Sequence, residues 1–356
     1  MRIAIDAMGG DHAPGPVVEG TLLARLLCPA ADLVLIGDEP VVREVLAAGS
    51  RSMPLPEVVH APLAISMDEF GPVAIRKKRD ASLNVAMRML AENEVDAVVS
   101  AGNTSAIVAA AKYFVGLLPG LRRPALAVPF PTPDGRPVLL DAGAHTHSEA
   151  LHLAQSAALA HIYLKVSRGI DHPAICLLNV GREPAKGTRT VQRAFALIKR
   201  SGLNFIGNRE PNDLFDGQAD AVICDGFVGN IVMKTYEGFS QGLISSLGAR
   251  IEQSAASSRA EWNRMFQSFQ ESYAYQHVGG APLLGAKKPV VVAHGRSENR
   301  AIGSAIQLAY RIVQEATYRK MTEFKFEHDG SLADFKYFSA LLILDNFKKK
   351  WGFTPK

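Results

Sequence analysis

Along the chain, short apolar runs stop at glycine or polar turns and alternate with longer amphipathic segments. The runs RIAIDAMGG, LVLIGD, AVVSAGN, ALAVPF, PVLLDAG, AICLLNVG, FIGN, AVICDG and PVVVAHG are mostly continuous rather than alternating. Strands covered on both faces read this way. Between them, SLNVAMRMLAENE from Ser82 and TVQRAFALIKRSG from Thr190 have the length and periodicity of helices. The alternation predicts an α/β fold, a three-layer α/β/α sandwich built on a largely parallel sheet. In open sheets of this kind ligands sit beyond the carboxyl ends of the strands. Those ends are where this sequence gathers its Gly, Asp, Asn and His.

The turn GFVGN, residues 226 to 230, shows the pattern most clearly, because it lies between the strand-like ADAVICD and the helix-like IVMKTYEGF. Glycines after a strand often do no more than make a tight turn. A glycine-rich turn feeding a helix can also present its backbone N–H groups to an anion. Gly226, Gly229 and Asn230 are the candidates for such a cradle.

Composition narrows the functional classes. The 356 residues are 47% hydrophobic and 21% charged, enough for a sizeable core, and the net charge is only +4. No basic run interleaved with aromatics precedes the C-terminal tail, so nucleic acid is not the expected partner. An anionic small molecule is compatible with the charge. MRIAIDAMGG reads as a strand rather than a signal peptide, and no apolar run reaches the roughly 18 residues of a membrane span. Cys28, Cys176 and Cys224 lack metal-ligand spacing, and the last two sit in apolar runs. They predict buried reduced thiols and a cytoplasmic location. No P-loop, dinucleotide fingerprint or G-x-S-x-G elbow occurs, so neither a nucleotide site nor a serine nucleophile is expected.

Taken in order, AIDAMGGDHAP, MDEFGPVAIRKKRDAS, VVSAGNTSA, LLNVGREPAKG, FIGN, ADAVICDGFVGNIVMKTYEG, GGAPLLG and AHG resemble the acyl-acyl-carrier-protein:phosphate acyltransferases of bacterial phospholipid synthesis. The resemblance covers about residues 1 to 318 as one α/β/α unit, with a protruding helical segment near 238–278, and leaves 319–356 as an extension. It implies a homodimer with a fold similar to phosphotransacetylases and isocitrate-dehydrogenase-like enzymes. The implied reaction moves a fatty acyl chain from the carrier thioester to inorganic phosphate, giving acyl phosphate without a metal or other cofactor. Peripheral contact with the inner face of the plasma membrane is part of the same expectation.

The resemblance makes Lys186 and Asn230 the functional pair. Phosphate attacks a thioester without an enzyme nucleophile if it is held in line and the carbonyl oxygen's charge is stabilised. Lys186 is the candidate cation, although a loop lysine is otherwise a solvated group. Asp225 could orient either partner or cap the following helix. Gly102, Asn103 and Thr104 could line the same crevice, with capping as the alternative for Asn103 and Thr104. Gly9, Gly10, Asp11 and His12 could meet substrate or form a plain turn.

His145, His147 and His152 invite a metal reading, but nothing beyond Asp141 and Glu149 completes a ligand set, and none is expected. His145, His147 and Ser148 stand where the family usually has Asn, Asp and Cys, and Ser105 where it has Gly. These departures leave a diverged acyltransferase with another carrier, chain or acceptor as an alternative. A noncatalytic carrier-binding protein at the membrane surface is a second. For docking an acidic carrier, RKKRD at 76–80 and LRR ending at Arg123 are both candidates. Trp262, Met265, Phe266, Phe269 and Tyr273 could insert at a membrane interface or pack on the dimer partner, and membrane contact could also come from a tail in which Leu341, Leu342, Leu344, Phe347 and Trp351 adjoin Lys348, Lys349 and Lys350. The same apolar tail residues could pack on the body instead.

Overall fold

The computed structural model describes residues 1–49, 55–130, 132, 137–252, 262, 266, 279–328 and 331–334. Its strands are β1 (Arg2–Asp6), β2 (Asp32–Gly37), β3 (Glu57–His60), β4 (Ala97–Ser100), β5 (Ala125–Leu126), β6 (Val128–Pro129), β7 (Val138–Leu140), β8 (Ile175–Leu178), β9 (Phe205–Arg209), β10 (Ala221–Ile223), β11 (Ala281–Leu284), β12 (Val290–Val292), β13 (Lys325–His328) and β14 (Ser331–Asp334). The helices are α1 (Gly15–Leu27), α2 (Glu39–Gly49), α3 (Gly71–Lys77), α4 (Ser82–Ala91), α5 (Thr104–Ala110), α6 (Ala150–Arg168), α7 (Arg189–Lys199), α8 (Gly226–Glu252), α9 (Asn299–Gln314) and α10 (Thr317–Glu323).

The expected α/β alternation is present, divided between two main sheets. One has the order β3-β2-β1-β4-β12-β11-β5, the other β6-β7-β10-β8-β9, and β13 and β14 form a separate hairpin. Pairing is parallel from β3 through β12 and from β7 through β9, and antiparallel at β11, β5 and β6. The run ALAVPF, read from sequence as one strand, crosses from the first sheet to the second. Ala125 and Leu126 pair with β11, and Val128 and Pro129 pair with β7. Ala127 N–H joins the two halves by donating to Pro282 O at 3.1 Å.

Strand residues alternate strictly between two buried layers. Ile3, Ile5, Leu33, Leu35, Val138, Leu140, Ile175, Leu177 and Ile223 share one layer with α1, α2, α6, α7 and α9. Ala4, Val34, Ile36, Leu139, Cys176 and Val222 share the other with α3, α4, α5 and α8. Each layer runs across both sheets, which is why the strands read as continuous apolar runs. All three cysteines are buried and unpaired, and burial pushes the Cys176 thiol up to about 12. Among the described residues, no helix is long and apolar enough to cross a membrane.

Candidate active site

At the carboxyl end of the second sheet, β10 leads through Asp225 straight into α8. Asp225 Oδ1 accepts from Val228 N–H at 3.0 Å, and its carbonyl accepts from Gly229 N–H at 2.9 Å. The residue therefore caps α8, as strand-to-helix carboxylates do. Gly229 N–H is engaged in the helix, so this glycine acts through the space it leaves. A Cβ there would stand 2.0 Å from Asp141 O, and one at Gly226 would stand 2.3 Å from His145 O. Only glycine lets the first turn of α8 lie directly on the 141–145 loop. Among the described residues, the N–H groups of Gly226 and Phe227 have no recorded partner, so they are the open donors at the positive end of the helix.

The 141–145 loop is organised by one carboxylate. Asp141 is buried, and its Oδ1 accepts from Leu126, Gly143 and Ala144 N–H at 3.1, 3.2 and 2.9 Å. Its Oδ2 accepts from His145 N–H at 3.0 Å and lies 3.5 Å from His145 Nδ1. The loop presents Gly143 to Asn230, whose Cβ would lie 3.5 Å from a Gly143 Cβ. Asn230 is exposed, in the first turns of α8.

Lys186 lies in the loop after β8. Its carbonyl accepts from Asn179 Nδ2 at 3.1 Å, its N–H donates to Glu183 O at 3.0 Å, and its side chain is exposed. This loop and the start of α8 share a pocket of about 210 Å3, with Asn179, Gly187, Thr188 and Asp225 beside Leu177, Leu178, Val191, Ile223, Val228 and Val232. The structure thus brings the loop after β8 and the start of α8 to one apolar-lined opening, whose lining includes Gly187, Thr188, Asp225 and Val228 but neither Lys186 nor Asn230.

The remaining candidates sit at the carboxyl end of the first sheet. Buried Asp6 accepts from Ser82 Oγ at 2.5 Å and Ser100 Oγ at 2.7 Å, and burial raises its pKa. Gly9 and Gly102 pack together over this carboxylate, and Asp11 N–H donates to Gly295 O at 2.8 Å beside Gly10. Asp11 also faces Arg296 at 3.9 Å, and His12 is exposed. Asn103 is 7% exposed and fully engaged: its Oδ1 caps α5 through Ala106 N–H, and its Nδ2 donates to the carbonyls of Ser66, Met67 and Glu69. Thr104 is the half-buried first residue of α5. Ser105 is matched locally, accepting from Gly71 N–H at 3.1 Å and donating to Asn103 Oδ1 at 2.8 Å.

The two strand-end clusters meet across α8. Lys234, one turn beyond Asn230, contacts His294 Nε2 at the end of β12 and pairs with Glu237 at 2.7 Å. His294 Nδ1 accepts from Arg296 N–H at 3.1 Å, and burial, reinforced by the Lys234 cation, holds its pKa below the ordinary value. Sequence reasoning did not single out Asp6, Lys234 or His294, and considered Asp141 only as a metal ligand. The shared signal was present in AIDAMGG and LLDAGAH, each an apolar run ending in Asp-Ala with a glycine two or three residues after the Asp. The histidines at 145, 147 and 152 do not converge. His152 Nδ1 accepts from Glu149 N–H at 3.0 Å, while His147 O accepts from Arg123. Among the described residues, no three acidic, His or Cys side chains gather in metal-binding geometry.

Residues 1–320 match the family model described as fatty acid synthesis protein. A phosphate acyltransferase of Syntrophobacter fumaroxidans is 54% identical over 356 residues, covering all of both chains, so its likeness includes the C-terminal extension. One from Thermoanaerobacter pseudethanolicus is 40% identical over 91% of this chain and 97% of its own. Among solved structures, a phosphotransacetylase from Streptococcus pyogenes superposes with a TM-score of 0.57 at 16% identity, covering 90% of this chain and 94% of its own. EutD phosphotransacetylase from Staphylococcus aureus gives 0.56 at 14%, with the same coverage. These two share the fold. On the family model and the full-length relative together, the chain belongs to the fatty acid synthesis protein family, that of the phosphate acyltransferases.

Proposed function

We propose that this chain transfers a fatty acyl group from an acyl carrier protein thioester to inorganic phosphate, giving acyl phosphate for phospholipid synthesis. The observation that carries this reading is the apolar pocket opening between the Lys186 loop and the N-terminus of α8. Its apolar lining supports the reading by offering room for an alkyl chain between Gly187 and Thr188, which follow Lys186 in the chain, and Asp225 and Val228 at the start of α8.

In this reading an oxygen of hydrogen phosphate attacks the thioester carbonyl carbon, the new C–O bond forms, and the oxyanion collapses with cleavage of C–S, releasing the carrier's thiolate, which takes up the proton that the phosphate loses. Lys186 and Asn230 face phosphate and the developing oxyanion, and the Gly226 and Phe227 N–H groups add the positive end of α8. Asp225 acts through the cap that fixes where Asn230 stands. Gly9, Gly10, Gly102 and Asp11 are assigned to substrate binding in the same reading, while Asn103 holds the 66–69 loop.

The active form in this proposal is a homodimer. Ile231, Phe239, Leu243 and Leu247 lie on α8 at multiples of one turn and are solvent-exposed in one copy, with Phe239 68% exposed. Trp262 is exposed, and Phe266 packs beside Gly248 of α8, while Met265, Phe269 and Tyr273 lie outside the described residues. The tail cluster from Leu341 to Trp351 also lies outside them, and peripheral contact with the cytoplasmic membrane face through it belongs to the proposal.

Incubation with palmitoyl-loaded carrier protein, with and without phosphate, while free thiol is measured, tests the reading. Phosphate-dependent thiol release together with an acyl product trapped by hydroxylamine is expected. Release that ignores phosphate would replace this reading with a different acceptor, and no release with carrier binding intact would leave a binding protein.

A further inference from the structure

The two basic clusters that the sequence offered for partner docking are unlike in the fold. Arg122 pairs with Glu149 at 3.8 Å, and Arg123 Nη1 donates to His147 O at 2.7 Å. In the other cluster Lys78 is turned inward, bonded to Glu69 and to Ala64 O. That leaves Arg76, Lys77 and Arg79 exposed, with no ion pair among the described residues.

Arg76 and Arg79 border an apolar surface. A groove of about 580 Å3 is lined by Ile75, Arg76, Arg79, Arg88, Tyr113 and Phe114. Arg88 is held in place by donating to Arg79 O at 2.8 Å, and the Tyr113 and Phe114 rings meet edge to face at 4.9 Å. Tyr113 is 67% exposed, Phe70 at the start of α3 is 71% exposed, and Val73 is also exposed. Asp80 is the opposing carboxylate within the run, against the cations of Arg76, Lys77, Arg79 and Arg88.

This face adjoins the strand ends of the first sheet through the 66–69 loop. Asn103 ties the carbonyls of Ser66, Met67 and Glu69 to the end of β4, and Met67 Cε lies 2.8 Å from where a Gly295 Cβ would stand. A partner seated on α3 would therefore border the loop that edges the Asp11 and Gly295 cluster.

We propose that the groove between α3, α4 and the Tyr113–Phe114 turn is the docking surface for the acidic carrier protein that brings the acyl thioester. An acidic helix with an apolar face matches guanidinium groups bordering exposed aromatic and aliphatic side chains. The inference rests on the proposed function, because it names where that reaction's macromolecular donor lands.

The test compares two thioesters in the full chain at low and at physiological salt: palmitoyl carrier protein and S-palmitoyl pantetheine, which lacks the carrier. Arg76→Glu with Arg79→Glu should raise KM for the carrier-bound donor about tenfold at low salt, since rim charges act on association. The KM for phosphate and turnover of the pantetheine thioester should stay as in the wild type, and Arg79→Lys should retain wild-type behaviour. Tyr113→Ala should raise the same KM without changing its salt dependence. An unchanged KM for the carrier donor in the folded double variant would overturn the inference. So would loss of anionic-vesicle binding without a kinetic change, which would assign the face to lipid. A wild-type chain inert with both donors would sink the proposed function itself, whereas activity insensitive to the charge reversal would sink only the docking surface.

Discussion

The starts of α5 and α8 are the same device put to different uses. Each follows a parallel strand through a glycine-containing turn, and each has a polar residue at its entrance. At α5 the amide of Asn103 is buried, and every polar atom of its side chain is bonded to its own surroundings. At α8 the cap is Asp225, and the asparagine one turn on, Asn230, is left exposed beside Gly143. A strand-glycine-polar-helix pattern therefore leaves its asparagine open only when something else does the capping.

The two glycines under α8 give the largest expected effect. Gly229→Val would drive a side chain into Asp141 O and should destabilise the fold by about 4 kcal/mol or more, seen as a steep fall in urea midpoint. Gly238→Ala, in the same helix with open space around it, should stabilise by up to about 1 kcal/mol. Equal behaviour of the two would mean that the 141–145 loop yields to the intrusion.

Next come the two asparagines, whose variants should separate stability from rate. Asn230→Ala and Lys186→Ala should each slow acyl transfer by about 10²- to 10³-fold with little change in melting temperature. Asn103→Ala should instead cost about 2–4 kcal/mol of stability, because three carbonyls and the Ala106 N–H lose their partner. If Asn103→Ala proves stable but inactive, the contrast between the two helix starts fails.

A pH series probes the histidines away from both starts. Burial holds His152 and His161 down to about 4. The unfolded chain protonates them below its ordinary value near 6.5, so their contribution is intact above 6.5 and is lost as pH falls from 6.5 towards 4. The slope should be roughly 1.4 kcal/mol per pH unit for each. His161, stacked on Phe326 with ring centroids 5.9 Å apart, should shed its share on substitution by Phe. Urea titrations at pH 7.5 and 5.0 measure this, and an identical pH slope in His161→Phe would refute the assignment.

The smallest effect belongs to the α8 cap. Asp225→Ala should cost about 1 kcal/mol, while Asp225→Asn, which can still accept from Val228 N–H, should cost less. A rate loss much larger than the stability loss in Asp225→Asn would give this carboxylate a charge role beyond positioning.

What the sequence determined by itself was the layer structure and the polar, glycine-rich character of the strand ends. Strict burial of both strand faces leaves continuous apolar runs, and strands need polar, glycine-rich ends where the chain turns. The strand EVVH (β3) is only partly buried, and APLL (β11) carries a proline, so neither showed that signal strongly. Only the tertiary structure decided that ALAVPF divides between two sheets, because hydrogen bonding to Pro282 and β7 is not written in local periodicity. It also decided which asparagine is occupied and which is open, and which cations of the two basic runs are already bonded to neighbours. Those outcomes depend on partners such as Ser66, Glu149 and Asp141, which lie tens of residues away and share no local pattern with the groups they satisfy.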